Sequence, residues 1–284
     1  MFIKFLDHDL RYGIGNTKKR IVLTFLMFAF LSLYHFFTLR IFQITNPEYF
    51  NSPVTTADYF LSVVGGYGKP NLFSDGTSDY SVPSVWLVFI LWIMFINLYY
   101  PFKDLDGIGK HLVVLSGSRG VWWLSKCVWT AINTVINYLT VFVSCTFVGL
   151  IFGAKLSMQS NYYLYRTLNI DESSLTSSTI WNITSVFLII GFSLIVLSLL
   201  QLLISLLAKP MISFFLMAAY IFAATFKQSP LLFANYVLGA RNSALVTTGL
   251  SNPLGILIGA WIILLSVAFG FFVFQYRDII GSDN

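Results

Sequence analysis

Charge is what this chain has least of. Asp, Glu, Lys and Arg make up 10% of its 284 residues, against about 25% in soluble domains. With 57% hydrophobic and 18% aromatic residues and a mean hydropathy of +0.76, that scarcity excludes a water-soluble globular domain and points to a polytopic membrane protein. Acidic residues are missing from every long apolar run, so no carboxylate within a span offers itself for proton or sodium coupling. The three histidines, His8, His35 and His111, are scattered without metal-ligand spacing, which argues against a zinc site. No GxxxxGK[ST] loop occurs, so the chain is not expected to hydrolyse ATP itself. No serine has a histidine partner by spacing, and nothing supports an intramembrane hydrolase. The two cysteines, Cys127 and Cys145, lie in one apolar run, ~27 Å apart on a helix, too far for a disulfide. The expectation is a chain that is not an enzyme, with no catalytic, cofactor-binding or metal-ligating residue of its own.

The net charge of +5 and pI near 9.1 do not indicate nucleic acid, because the basic residues sit beside apolar runs, where the positive-inside effect places them. Six apolar runs read as spans, at about 21–42, 84–100, 127–152, 180–207, 211–226 and 254–274. The first begins near Ile21, without a small-x-small exit, and is expected to stay in the mature protein. Residues 1–15 show an imperfect amphipathic pattern. Phe2, Phe5, Leu6 and Leu10 gather on one side and Lys4, Asp7, His8 and Arg11 on the other, while Asp9 falls on the apolar side. This predicts a helix lying in the membrane interface. Of the 17 Lys and Arg, Arg40, Lys69, Lys155, Arg166, Lys227 and Arg241 fall on one side, and the remaining eleven favour both termini in the cytoplasm. The expected fold is all-α: one transmembrane domain over 1–284, with six transmembrane helices and an N-terminal interfacial helix.

The stretch 102–126, FKDLDGIGKHLVVLSGSRGVWWLSK, interrupts two apolar runs with both signs of charge. It reads as a cytoplasmic loop on which a partner docks. Asp104, Asp106, Lys110, Ser116 and Arg119 are the docking candidates, and the plainer alternative is a solvated loop. Trp122 and Trp123 suggest an interfacial belt, with Lys126 snorkelling to the headgroups. Within the spans, Asn133 and Asn137 share a helix face and, like His35, are expected to hydrogen-bond a neighbouring helix or line a pathway. The loop at 44–83 reads as polar and turn-rich, and 227–253 as re-entrant pieces at the outer face.

In this layout the chain resembles the integral-membrane subunit of ATP-binding-cassette transporters of the second exporter type. Gly117-Ser118-Arg119 followed by Trp122-Trp123-Leu124-Ser125-Lys126 is similar to the start of span three in bacterial members of peptide-export and bacteriocin-immunity type. The resemblance implies an interfacial helix at 1–15, a coupling helix within 104–119 and a re-entrant piece at 227–253. It also implies a plasma-membrane permease that pairs with a second copy or a sister permease and with cytosolic ATPases, which hold the ATP and Mg. The cargo class is hydrophobic or amphipathic: peptide, drug or lipid-like. The alternatives are a membrane-embedded enzyme or maturation factor, and a non-transporting peptide-immunity or sensor protein.

Overall fold

The computed structural model describes residues 2–45, 53–68, 82–105, 107, 109–111, 113, 118–161, 163–170, 172–176 and 180–276. The protein is an all-α membrane protein. Among the described residues, five helices are long and apolar enough to cross a bilayer: residues 17–45 of α2 (Ile14–Thr45), α4 with α5 (Ser84–Leu98, Tyr100–Leu105), α6 (Arg119–Ile151), α8 (Thr184–Ala208) and α10 (Asn252–Tyr276). A sixth apolar helix, α9 (Pro210–Phe226), has 17 residues. At 1.5 Å per residue it reaches ~25 Å, short of a hydrocarbon core of about 30 Å.

The N-terminal segment departs from the expected interfacial helix. α1 (Phe2–His8) runs through a π-helical turn, Asp9–Gly13, straight into α2, so the backbone is helical without a break from Phe2 to Thr45. Phe5, Asp9, Gly13 and Thr17, each four residues on, are all buried. An α-helix of 3.6 residues per turn would rotate such a row away from its neighbour, and the wider π-turn holds it in line. That neighbour is α6, which runs parallel to this rod: Asp9 meets Lys126, Thr24 meets Asn137 (3.3 Å), and Phe36 stacks on Phe152 (3.9 Å between centroids).

α8 runs back against α6, with the Tyr138 hydroxyl donating to the Phe187 carbonyl (2.8 Å) and Thr134 to Ser198 (3.1 Å). Lys209, at φ +66, reverses the chain between α8 and α9, and Pro210 takes the first position of α9, where its missing N–H costs nothing. α10 closes the bundle. Gly270 lets it lie on Trp123, where a Cβ would come within 2.1 Å of the indole.

The end of the bundle away from the N-terminus carries a folded cap where a polar loop and re-entrant pieces were expected. Its first helix, α3 (Thr56–Val64), starts with a capping box between Thr55 and Asp58 and is buried on nearly every residue. Around it lie a two-stranded antiparallel pair, β1 (Gln159–Asn161) and β2 (Ile180–Asn182), the single turn α7 (Leu164–Thr167), and two buried 3-10 turns, Phe233–Val237 and Gly239–Arg241. Ile180–Asn182, expected to begin the fourth span, is thus a strand, and α8 starts at Thr184.

Asp58 is the centre of the cap. Its Oδ1 accepts from Ser160 Oγ (2.8 Å) and the Asn161 N–H (2.9 Å), and its Oδ2 from the Thr55 N–H (2.8 Å), Asn161 Nδ2 (2.9 Å) and the Tyr163 hydroxyl (2.8 Å). Burial and the Asp58 charge push the Tyr163 phenol well above its ordinary pKa, so it stays a donor. Buried Arg241 donates to the carbonyls of Ala224 (2.8 Å) and Thr225 (2.7 Å), to Tyr67 O (3.3 Å) and to Asn235 Oδ1. It thereby caps the C-terminal end of α9, where a helix carries partial negative charge.

Candidate functional site

The chemistry-bearing side chains meet at the other end of the bundle, where α1, α5 and the first turns of α6 converge. Three local features bring them there. The π-turn swings Asp9 onto the α6 side. The short α5 follows α4 after Leu98 and presents Tyr100 and Asp104. α6 begins at Arg119, two turns earlier than the apolar run at 127, so Trp122, Ser125 and Lys126 belong to a formed helix.

Lys126 sits at the centre with its side chain 1% exposed. Its ammonium pairs with Asp9 Oδ1 and with Asp104 Oδ2 (2.7 Å), and lies over the rings of Tyr100 (4.9 Å) and Trp122 (5.2 Å). Asp9 also accepts from Ser125 Oγ and from the Tyr100 hydroxyl (3.0 Å). Asp104 also accepts from Trp122 Nε1 (3.2 Å), and its Oδ1 lies 3.3 Å from His8 Nε2. Two carboxylates thus face one ammonium, with His8 beside them to supply a second positive charge when protonated. Taking such ions out of water is costly, and only this density of partners offsets it.

His8, Asp9 and Asp104 present ligand atoms within 4.8 Å of one another, a grouping that on distances alone would suit a divalent metal. The donor set argues otherwise. The Lys126 ammonium already occupies the position between the two carboxylates, and a cation there would have to displace it.

This arrangement corrects three expectations. Lys126 does not snorkel; it is fully buried. Trp122 and Trp123 form no exposed belt, being 2% and 1% exposed, with Trp122 stacked on Phe274 and Trp123 donating to the Val267 carbonyl (3.0 Å). Nor is 102–126 a single loop, since both ends are helical.

The docking candidates do not gather. Asp104 is drawn into the ion cluster, with its side chain 7% exposed. Lys110 is half-buried in a helical turn, and Arg119 donates from Nη1 to the Gln275 carbonyl at the end of α10 (3.1 Å). Asp106 and Ser116 lie outside the described residues. Lys103 and His111 are exposed in the same region.

Above the cluster a second polar group joins four helices. Asn133 Nδ2 donates to Asn97 Oδ1 (2.7 Å), and Asn97 Nδ2 donates to Thr134 (2.9 Å) and Ser198 (3.2 Å). Asn137 accepts from Thr24, which in turn accepts from Trp92 Nε1 (2.9 Å). Asn133 and Asn137 thus make contacts between helices. His35 is not among them; it lies higher on α2 against Tyr34, and its Nε2 makes no hydrogen bond.

Sequence reasoning missed Asp9, Tyr100 and Ser125 in the lower cluster and Asp58 and Arg241 in the cap. For Asp9 the signal was present, as the one charge on the apolar side of the N-terminal pattern. On α6, Lys126, Thr130, Asn133, Thr134 and Asn137 follow the three-and-four spacing of one helix face, which marks a buried polar stripe.

No curated protein and no solved structure matches the chain. A family model described as "Protein of unknown function (DUF2705)" matches residues 36–280. Asp104, Ser125, Lys126 and the whole cap fall within that stretch, whereas His8 and Asp9 precede it. A match over most of the chain identifies this protein as a member of the DUF2705 family.

Proposed function

We propose that the chain is the permease subunit of an ATP-binding-cassette transporter in a bacterial plasma membrane. On this reading α9 completes a set of six spans, and both termini are cytoplasmic. Two permeases, identical or sisters, carry a hydrophobic or amphipathic cargo outward, driven by ATP and Mg held in a separate cytosolic ATPase. The observation that supports it is the buried Asp9–Lys126–Asp104 cluster. It ties α5, just before the coupling segment, to α6 and to the N-terminal rod, so a push on that segment moves several long helices together. A lever of this kind needs no catalytic group in the membrane, in keeping with a chain whose bonded polar groups are spent on helix contacts.

Burial of Asp104 narrows the docking surface to Lys103, Lys110, His111 and the segment around Asp106. The test is to co-express the chain with a candidate P-loop ATPase, purify in detergent, and measure association and ATP hydrolysis for wild type, Asp106→Ala and Lys110→Ala. Association with wild type, with loss of binding or of coupled hydrolysis in the variants, is the expected result. No association, or variants that behave as wild type, would sink the proposal.

The outer cap favours a second reading, a non-transporting immunity or sensor protein that binds a peptide outside the cell. A rigid receptor surface is what the Asp58 network would provide. Peptide binding at the cap without any associated ATPase would select it over the first.

A further inference from the structure

On the face formed by α6, α8 and α10 an open apolar groove of about 710 Å³ runs along α10 from Ala260 to Phe272, with Leu124 of α6 and Phe192 of α8 on its sides. The α10 residues lining it recur every three or four positions, one stripe of that helix. Twelve residues at 1.5 Å give ~18 Å, close to the ~15 Å of one leaflet's hydrocarbon. At its lower end the groove meets, through the shared Phe271, a recess of about 390 Å³ of mixed character, where Ser118, Arg119 and Gln275 lie beside Gly120 and Val121. The half-buried Arg119 guanidinium is steered into this recess by its bond to the Gln275 carbonyl (3.1 Å). The outward stripe of α2, with Leu26, Phe30, Phe37 and Ile41 exposed, is equally apolar, but it does not line this recess. An acyl-length channel with a cation at headgroup height matches one kind of molecule.

We propose that this groove is a binding site for one anionic phospholipid of the leaflet on the Arg119 side, its phosphate at Arg119 and one acyl chain along α10. Naming that leaflet as the inner one rests on the orientation proposed above; the site itself does not. Such a lipid would bridge α6 and α10 at the end of the bundle that carries the ion cluster.

The test uses the full chain alone, in nanodiscs of equal phosphatidylglycerol and phosphatidylcholine, with retained lipid counted by native mass spectrometry after release. Wild type should keep phosphatidylglycerol in preference by about fivefold, the size of one basic side chain's contribution at an anionic surface. Arg119→Gln should lose the preference and Arg119→Lys should keep most of it. Ala268→Trp, which fills the groove and leaves the Arg119–Gln275 bond in place, should retain less of both lipids. Equal retention of the two lipids by wild type, or unchanged retention in Ala268→Trp, would overturn the proposal. So would a dimer mass that Ala268→Trp dissociates, because the groove would then be covered by a second copy. No ATPase is present in the assay, so failure here is distinct from failure of the transporter reading.

Discussion

Lys126→Met is the perturbation that bears hardest on the lower cluster. Methionine fills most of the volume of the lysine stem, so packing against Trp122 and Tyr100 changes little. What is lost is the one ammonium between two buried carboxylates, Asp9 at 1% and Asp104 at 7% side-chain exposure. Removing one partner of a buried ion pair costs about 3–5 kcal/mol, chiefly because the remaining charge is left uncompensated. Here two carboxylates are left together, which places the expected cost at the upper part of that range. Asp9→Asn is milder, because Lys126 keeps Asp104 and the amide oxygen still accepts from Tyr100, while the amide NH2 faces the Ser125 hydroxyl, which can turn to accept from it. About 1–3 kcal/mol is expected, the scale of a lost charged hydrogen bond. The two changes share a partner and should not add. With Asp9 already neutral, Lys126→Met strands one carboxylate where it would otherwise strand two, so the double variant should be more stable than the sum by at least ~1 kcal/mol. The assay is unfolding in detergent, followed by tryptophan fluorescence, for wild type, both singles and the double. At about 2–4 °C per kcal/mol for a chain of this size, Lys126→Met should lower the midpoint by on the order of 10 °C. A drop under ~2 °C, or strict additivity, would refute the idea that Lys126 is the counter-ion holding this end together.

Three further outcomes follow from the geometry. Asp58→Ala strands its donors, so the cap should lose ~3 kcal/mol or more and become sensitive to a protease added at that face, with the long helices still inserted; a cap as resistant as wild type would contradict this. Arg241→Met leaves the Ala224 and Thr225 carbonyls without their cap and should cost about 2–3 kcal/mol in detergent unfolding, while Arg241→Lys should restore only part, because one ammonium cannot reproduce the fork. Lys209→Gly relieves a positive φ of 66° and should leave stability unchanged or raise it by up to ~1 kcal/mol; clear destabilisation would mean the lysine makes a favourable contact at that turn.

What the sequence made legible follows from the physics of the membrane. α4, α8 and α10 stand out because a lipid-facing helix must be apolar over about twenty residues, and composition alone carries that signal. The cap around Asp58 gives no such signal. α3 hides in a stretch read as a polar loop, because Thr55, Thr56 and Asp58 look solvated until residues about a hundred positions later supply their partners: the Gln159 and Ser157 carbonyls for the two threonines, and Ser160, Asn161 and Tyr163 for Asp58. The lower cluster was half visible. Asp104 and Lys126 were noticed as charges, but a charge beside an apolar run reads as interfacial unless its counter-ion is known. That counter-ion, Asp9, lies 117 residues away and reaches Lys126 through a π-turn that no helical period announces.

The central proposal, that the segment after α5 meets a cytosolic ATPase, is open to a cross-linking measurement. Both native cysteines are buried, so a cysteine placed at exposed His111 is the one thiol a maleimide cross-linker should reach among the described residues. The control is Leu231→Cys, 84% exposed on the cap. In membranes containing both proteins, His111→Cys should cross-link to the ATPase and Leu231→Cys should not. Equal cross-linking at the two positions, or none at His111, would contradict the account.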